Sequence, residues 1–218
     1  MRTEEGLQSL FPGLRVVELS LNGLTIRRED PELTTFKEEI ERKIRGGINL
    51  EAIKDQRIVR AYRDFYWKVG IDPTKTRPAG EALARRIISG KNLPTINTFV
   101  DSYNLVSAQT FVAIGAFDSE KIHEDALLMR RARVGERFLG IGMEKEIKLD
   151  GVEIVIEDEK ARDLIAVYPY RDSEGSKVKE DTKGVLLMMC GVPGIQEEDL
   201  EKTKSLTSSY VERFCKTA

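Results

Sequence analysis

A run of 27 residues, Asn92 to Asp118 (NLPTINTFVDSYNLVSAQTFVAIGAFD), constrains this chain more than any other stretch. It reads as a loop, a capped helix and a buried strand in succession. Thr98 with Asp101 three residues later fits the S/T-x-x-D/E capping box, in which hydroxyl and carboxylate satisfy the open backbone N–H groups of a first helical turn. The helix is therefore expected to start near Asn97. Val100, Tyr103, Ser107 and Phe111 then recur at three- and four-residue steps, giving one small, mostly apolar stripe, while Asp101 and Asn104 fall on a neighbouring face. FVAIGAF follows, a short apolar run with a glycine inside it. Such a Gly marks a bulge or a place where another group comes close to the backbone.

Around this centre, 218 residues suit one domain of ordinary size, or one domain with an appended segment. No apolar run approaches the roughly 18 residues of a membrane span, and MRTEEGLQSLFPG lacks the basic-then-apolar order of a signal peptide. Cys190 and Cys215 form no disulfide framework, and Cys190 sits in an apolar run that reads as core. The expectation is a cytoplasmic chain with free thiols and no membrane contact.

The remaining elements follow from local chemistry. Leu14 to Leu21 reads as a strand, and after the Asn22-Gly23 turn LTIRR either pairs back or leads out. Asp30-Pro31 starts a helix whose stripe is Leu33, Phe36, Ile40 and Ile44. A second helix is expected from about Asn49 to Val69. WKVGIDPTKTRP is turn-rich, and Pro78 opens a short helix stopped by Gly90. ALLMRR, VEIVIED, LIAVYPY and VLLMMC read as strands, RDSEGSKVKEDTK as a polar loop, and Leu206, Tyr210 and Phe214 as the apolar face of a C-terminal helix. The fold class is α+β, a mainly antiparallel sheet core with flanking helices. Residues 1–76 read as an N-terminal elaboration packed on a core formed by 77–218.

Net charge is −2, yet ten Lys/Arg against four acids fall between Lys54 and Lys91. That basic region reads either as a solvated helix face or as a surface for phosphates. No His/Cys cluster has metal-ligand spacing, and no phosphate-binding glycine loop or nucleophile elbow occurs, so neither metal nor cofactor is expected. The only histidine, His123, lies in a charged link and makes a Ser-His-Asp triad improbable. What is left is a pocket of backbone groups, hydroxyls and a carboxylate, which can position water on an activated ester.

The ordered pattern NTFVDSYNLV, AFD, RRARVGE, LDG and EDTKGVLL, from about Arg77 to about Pro193, resembles the B3/B4 domain of the bacterial phenylalanyl-tRNA synthetase β subunit. In those enzymes the domain is an editing module that hydrolyses the ester of a wrongly attached amino acid, chiefly tyrosine, on the tRNA. The layout is also similar to free-standing proteins of that family. The resemblance implies a trans-acting aminoacyl-tRNA deacylase with mischarged tRNA as its partner. A non-catalytic tRNA- or amino-acid-binding protein of the same fold is the alternative, and a small-molecule binder or partner subunit without RNA contact a third.

Aligned on the family loop GGxxSxVxxxT, Glu174 takes the place of the glutamate that contacts the misattached amino acid, anchored by Val178 and Thr182. The resemblance thus implies Glu174 as the catalytic group, with Gly115, Ala116, Asn104 and Ser176 at the substrate. It implies Lys75, Arg77, Arg85 and Arg86 at the RNA. For Asn97 and Thr98 a capping role is the simpler expectation. Two departures stand out. Arg171 and Asp172 replace the family's glycine-rich turn, and Gly115 stands where the synthetases commonly carry a pocket histidine.

Overall fold

The segment GVLLMMCG is apolar without alternation, as expected of a strand covered on both faces. The computed structural model, which describes residues 1–216, buries all of it. Its elements in chain order are β1 (Arg2–Thr3), the single turn α1 (Leu7–Leu10), β2 (Arg15–Asn22), α2 (Pro31–Gly47), α3 (Arg57–Lys68), α4 (Ala79–Ile88) and α5 (Thr98–Thr110). They continue as β3 (Ile114–Asp118), β4 (Leu127–Arg131), β5 (Arg137–Phe138), β6 (Ile147–Lys148), β7 (Ile154–Asp158), β8 (Asp163–Tyr168), β9 (Arg171–Asp172), β10 (Gly184–Gly191) and α6 (Glu197–Cys215).

One sheet has the order β2-β10-β3, a second β1-β4-β7-β8-β9, and β5 pairs with β6. All pairings are antiparallel except that of β1 with β4. The chain is therefore α+β, and no helix among the described residues is long and apolar enough to cross a membrane. Alternation along β10 sends Leu186, Met188 and Cys190 to one face. Met188 and Cys190 there meet Ile156, Ala166 and Tyr168 of β7 and β8 across a cavity. Helix α6 lies along β10 and β2 and packs against α5. Leu186 to Met189 are each at most 1% exposed, and burial contributes about 1.5–3 kcal/mol per such side chain.

Local chemistry sets the helix starts. Asp30 caps α2 by accepting from the Leu33 N–H at 3.0 Å, with Pro31 at the first helical position. At α5 the cap is Asn97, whose Oδ1 accepts from Val100 N–H at 2.8 Å. Thr98 instead clasps the chain after β2, its N–H donating to Arg27 O and its Oγ1 accepting from Arg27 N–H. Asp101 accepts from the Ile96 N–H at 2.9 Å and pairs with buried Lys37 at 2.6 Å. The start near Asn97 was legible, but the capping hydroxyl was misassigned. The second helix also begins later than expected. Ala52–Asp55 is a tight 3-10 turn, Gln56 is extended, and α3 starts at Arg57.

After Gly23 the chain leads out rather than pairing back: Leu24 N–H donates to Lys183 O and Thr25 N–H to Cys215 O. Strand β2 pairs along its whole length with β10, the most distant strand in sequence.

Candidate active site

Where the two sheets face each other they leave a cavity of about 180 Å³. Gly115 and Phe117 line it from β3, Met188 and Cys190 from β10, Tyr103 and Asn104 from α5, and Arg171 and Asp172 from β9. Ala79 closes it from α4, which approaches so tightly that a Cβ on Gly80 would lie 2.5 Å from Phe111 O. The walls are mainly apolar, and one carboxylate stands among them.

That carboxylate is Asp172. Its Oδ2 accepts from the Ala116 N–H at 3.0 Å, and its Oδ1 lies 3.1 Å from where a side chain on residue 115 would begin. The internal glycine of FVAIGAF is thus explained: the group that comes close to its backbone is Asp172. Among the described residues no cation pairs with this acid. Loss of water raises its pKa to about 7, the single backbone hydrogen bond offsetting only part of that. A carboxyl group poised near neutrality in an apolar cavity has the property required of a general base.

Burial also keeps a thiol and a phenol of the cavity protonated. Burial pushes the Cys190 thiol and the Tyr103 phenol above their ordinary values, so the thiol is a poor nucleophile and the phenol remains an O–H donor. The Tyr168 hydroxyl lies between the carbonyls of Arg15, at 2.9 Å, and Gly191, at 3.0 Å. Arg171 donates from Nη1 to Ile141 O at 2.7 Å and lies over the Tyr170 ring, while its Nε is buried without a partner.

The structure brings some of the expected site residues together and separates others. Gly115 and Asn104 line the cavity. Asn104 also lines a second cleft beside it, with Tyr103 and Ala116. Glu174 does not line the cavity. It points outward, pairing with Lys177 at 3.1 Å and accepting weakly from Gly142 N–H at 3.4 Å. Ser176 is buried away from both spaces, its carbonyl accepting from Asp118 N–H at 2.9 Å. Asp118 in turn accepts from the Thr182 hydroxyl at 2.8 Å, so the last residue of GAFD pins the loop between β9 and β10. His123 stands apart, half-exposed, against Asp158.

On the outer side of α4 a groove of about 470 Å³ is lined by Arg77, Arg85, Arg86 and Lys91, with Leu50, Ala82 and Ser89. No acid lines it. Arg85 is held at 2.6 Å by buried Glu81, and Arg86 donates to Asn92 O at 2.7 Å. Lys75 lies outside the groove, 3.8 Å from Asp72 and largely exposed. Arg77 and Ala79 are two residues apart, so the groove and the cavity meet at the start of α4. Sequence reasoning missed Asp172 and Tyr103 as cavity residues and Lys91 as the fourth cation. Gly115 was the available signal for Asp172.

The family model of the B3/4 domain matches residues 61–218. The phenylalanine–tRNA ligase β subunit of Symbiobacterium thermophilum is 28% identical over 121 residues, 56% of this chain and 13% of that protein. That of Clostridium tetani is 25% identical over 169 residues, 76% of this chain and 21% of that protein. The chain thus spans about a fifth or less of these relatives. The crystal structure of an N-terminal fragment of the phenylalanyl-tRNA synthetase β subunit from Pyrococcus horikoshii superposes with a TM-score of 0.51 at 16% identity. It covers 99% of this chain and 49% of that one, and shows a shared fold.

Proposed function

We propose, from the premise that this chain belongs to the B3/4 domain family, that it hydrolyses the ester of mischarged aminoacyl-tRNA, acting in trans. The observation that carries the reading is Asp172, a carboxyl with a pKa of about 7 inside an apolar cavity lined by residues of the family's pattern. In the resembling synthetases a histidine stands at position 115 and glycines stand at the turn. Here the glycine is on β3 and the acid comes from β9, so the polar group reaches the same space from the opposite strand.

The chemistry follows from the geometry. The Asp172 carboxylate takes a proton from a water molecule, whose oxygen attacks the ester carbonyl carbon. Charge developing on the carbonyl oxygen is met by the Asn104 amide and by the otherwise unpartnered Arg171 Nε–H. Collapse breaks the bond to the ribose oxygen, which receives the proton from Asp172, giving free amino acid and tRNA. Neither Cys190 nor His123 is needed. The room of about 180 Å³ accepts one amino-acid side chain, and Ile156, Ala166 and Met188 favour an apolar or aromatic one. Phosphates of the RNA lie along the groove of Arg77, Arg85, Arg86 and Lys91.

A panel of misacylated tRNAs tests this. Wild type should release amino acid from at least one of them, and Asp172→Asn should slow release about 10²-fold. Asparagine keeps an oxygen for the Ala116 N–H, so the variant retains the fold. Arg77→Gln with Arg86→Gln should weaken tRNA binding and lower the slope of log K against log salt by about 2. A wild-type chain that binds tRNA yet releases no amino acid from any of the panel is a binding protein, not a hydrolase.

A further inference from the structure

Building on the hydrolase reading, we infer that Gly140 is a positioning residue, the gap through which the Arg171 side chain reaches the cavity with its Nε–H free for the ester carbonyl. The link between β5 and β6 carries a short strap, Leu139 to Ile141, along the edge of β9 that β8 leaves open. Ile141 N–H donates to Asp172 O at 2.9 Å, Glu174 N–H donates to Leu139 O at 3.0 Å, and Gly140 faces Ser173 in an antiparallel bridge. The Asp172 end of β9 is thus paired on both sides.

Arg171 has to cross this strap. A Cβ on Gly140 would stand 2.3 Å from Arg171 Cδ, 2.7 Å from its Cγ and 3.0 Å from Phe138 Cε1. The Gly140 φ is not in the left-handed region, unlike that of Gly142 at 76°, so room and not backbone conformation calls for the glycine. Neither neighbour can step aside freely, because Phe138 is buried and the strap is held by its hydrogen bonds to β9.

The far end of Arg171 is fixed as well. Its Nη1 donates to Ile141 O at 2.7 Å and its guanidinium lies over the Tyr170 ring. That hold leaves Nε buried with no partner on a residue that lines the cavity. A buried N–H without an acceptor costs stability, and a donor kept open and fixed in advance is what developing charge on a carbonyl oxygen requires. A methyl group at 140 would lever the arginine stem off the strap and take Nε with it.

The test is a double-mutant cycle of Gly140→Ala and Arg171→Ala in the full chain, read in steady-state deacylation of a misacylated tRNA from the panel. Gly140→Ala should lower kcat about 10²-fold, the loss of one oxyanion donor, and leave KM within about twofold, because the contact is made only in the transition state. Its rate should keep the ionisation near pH 7, since Asp172 keeps the Ala116 N–H. Arg171→Ala removes Cγ and Cδ, and adding Gly140→Ala to it should change kcat less than about twofold. Urea unfolding reads the same contact without substrate: Gly140→Ala should raise the unfolding constant about tenfold beside Arg171 and should not raise it beside alanine. A wild-type kcat in Gly140→Ala, losses that multiply in the double variant, or a vanished ionisation overturns the positioning role while an active wild type leaves the hydrolase reading standing. A wild type that releases no amino acid overturns the hydrolase reading, and the unfolding cycle then decides the placement of Arg171: coupling upholds it and additivity overturns it.

Discussion

Asp158 and Asp172 belong to the same five-stranded sheet and both accept hydrogen bonds from backbone amides, yet their surroundings drive them in opposite directions. Asp158, at the end of β7, accepts from the N–H groups of His123 at 2.7 Å, Ala161 at 3.0 Å and Lys160 at 3.1 Å, and faces the His123 ring at 3.0 Å. Burial raises its pKa, but these donors outweigh that and leave it below its ordinary value. Asp172 is also raised by loss of water, has a single N–H in return, and rises to about 7. Burial alone therefore does not mark a reactive acid. The count of donors does: four make Asp158 a structural clamp, and one leaves Asp172 with an open oxygen facing a cavity.

The comparison can be broken most sharply by making the same substitution at both sites. Asp172→Asn should reduce single-turnover deacylation by about 10², while Asp158→Asn should leave it within about twofold. Stability should move the other way. Asp158→Asn places an NH₂ group among N–H donors and should cost about 2 kcal/mol in urea unfolding at pH 7. Because the Asp158 pKa is lowered on folding, its contribution is complete above the unfolded value and is lost as pH falls through the folded one. The gap between variant and wild type should therefore narrow as pH falls below the unfolded value and through the folded one.

For Asp172 the sign reverses. A carboxyl raised to about 7 makes the folded chain keep a proton that the unfolded chain has released, so stability declines as pH climbs from the unfolded value through 7. Asp172→Asn should accordingly stabilise the chain by about 1 kcal/mol at pH 8, after discounting for the water that reaches the cavity, and by little at pH 4. The smallest effect belongs to His123→Ala. Its ring is half-exposed, so removal should cost about 0.5 kcal/mol in the same unfolding assay and leave hydrolysis unchanged. A variant at His123 without activity would move the site to the Asp158 end of the sheet.

Much of this was legible in the sequence because it is local. Thr98 with Asp101 marks a helix start near Asn97, although the cap itself is Asn97, and the uninterrupted VLLMMC marks a buried strand. The glycine of FVAIGAF marks a close approach. Asp172 was not legible, because its role depends on β9 folding back to place the carboxylate against β3, between segments 56 positions apart. Alignment favoured Glu174 instead. Strand β9 ends at Asp172, and the Glu174 N–H turns away to Leu139 O, taking its side chain toward Lys177 and Gly142. Two residues along a continuing strand would have shared a face; past the end of β9 they do not. Of the residues expected at the RNA, Arg77, Arg85 and Arg86 line one groove, α4 carrying two of them on adjacent positions. Lys75, in the turn before α4, faces elsewhere.

The most direct test is the pH dependence of single-turnover deacylation, wild type beside Asp172→Asn, with a misacylated tRNA from the panel between pH 5.5 and 8.5. The wild-type rate should rise with a single ionisation near pH 7, the asparagine variant should lack that rise, and the two should differ by about 10² at pH 8. Superimposable profiles, or an ionisation that persists in Asp172→Asn, would contradict the assignment of Asp172 as the base.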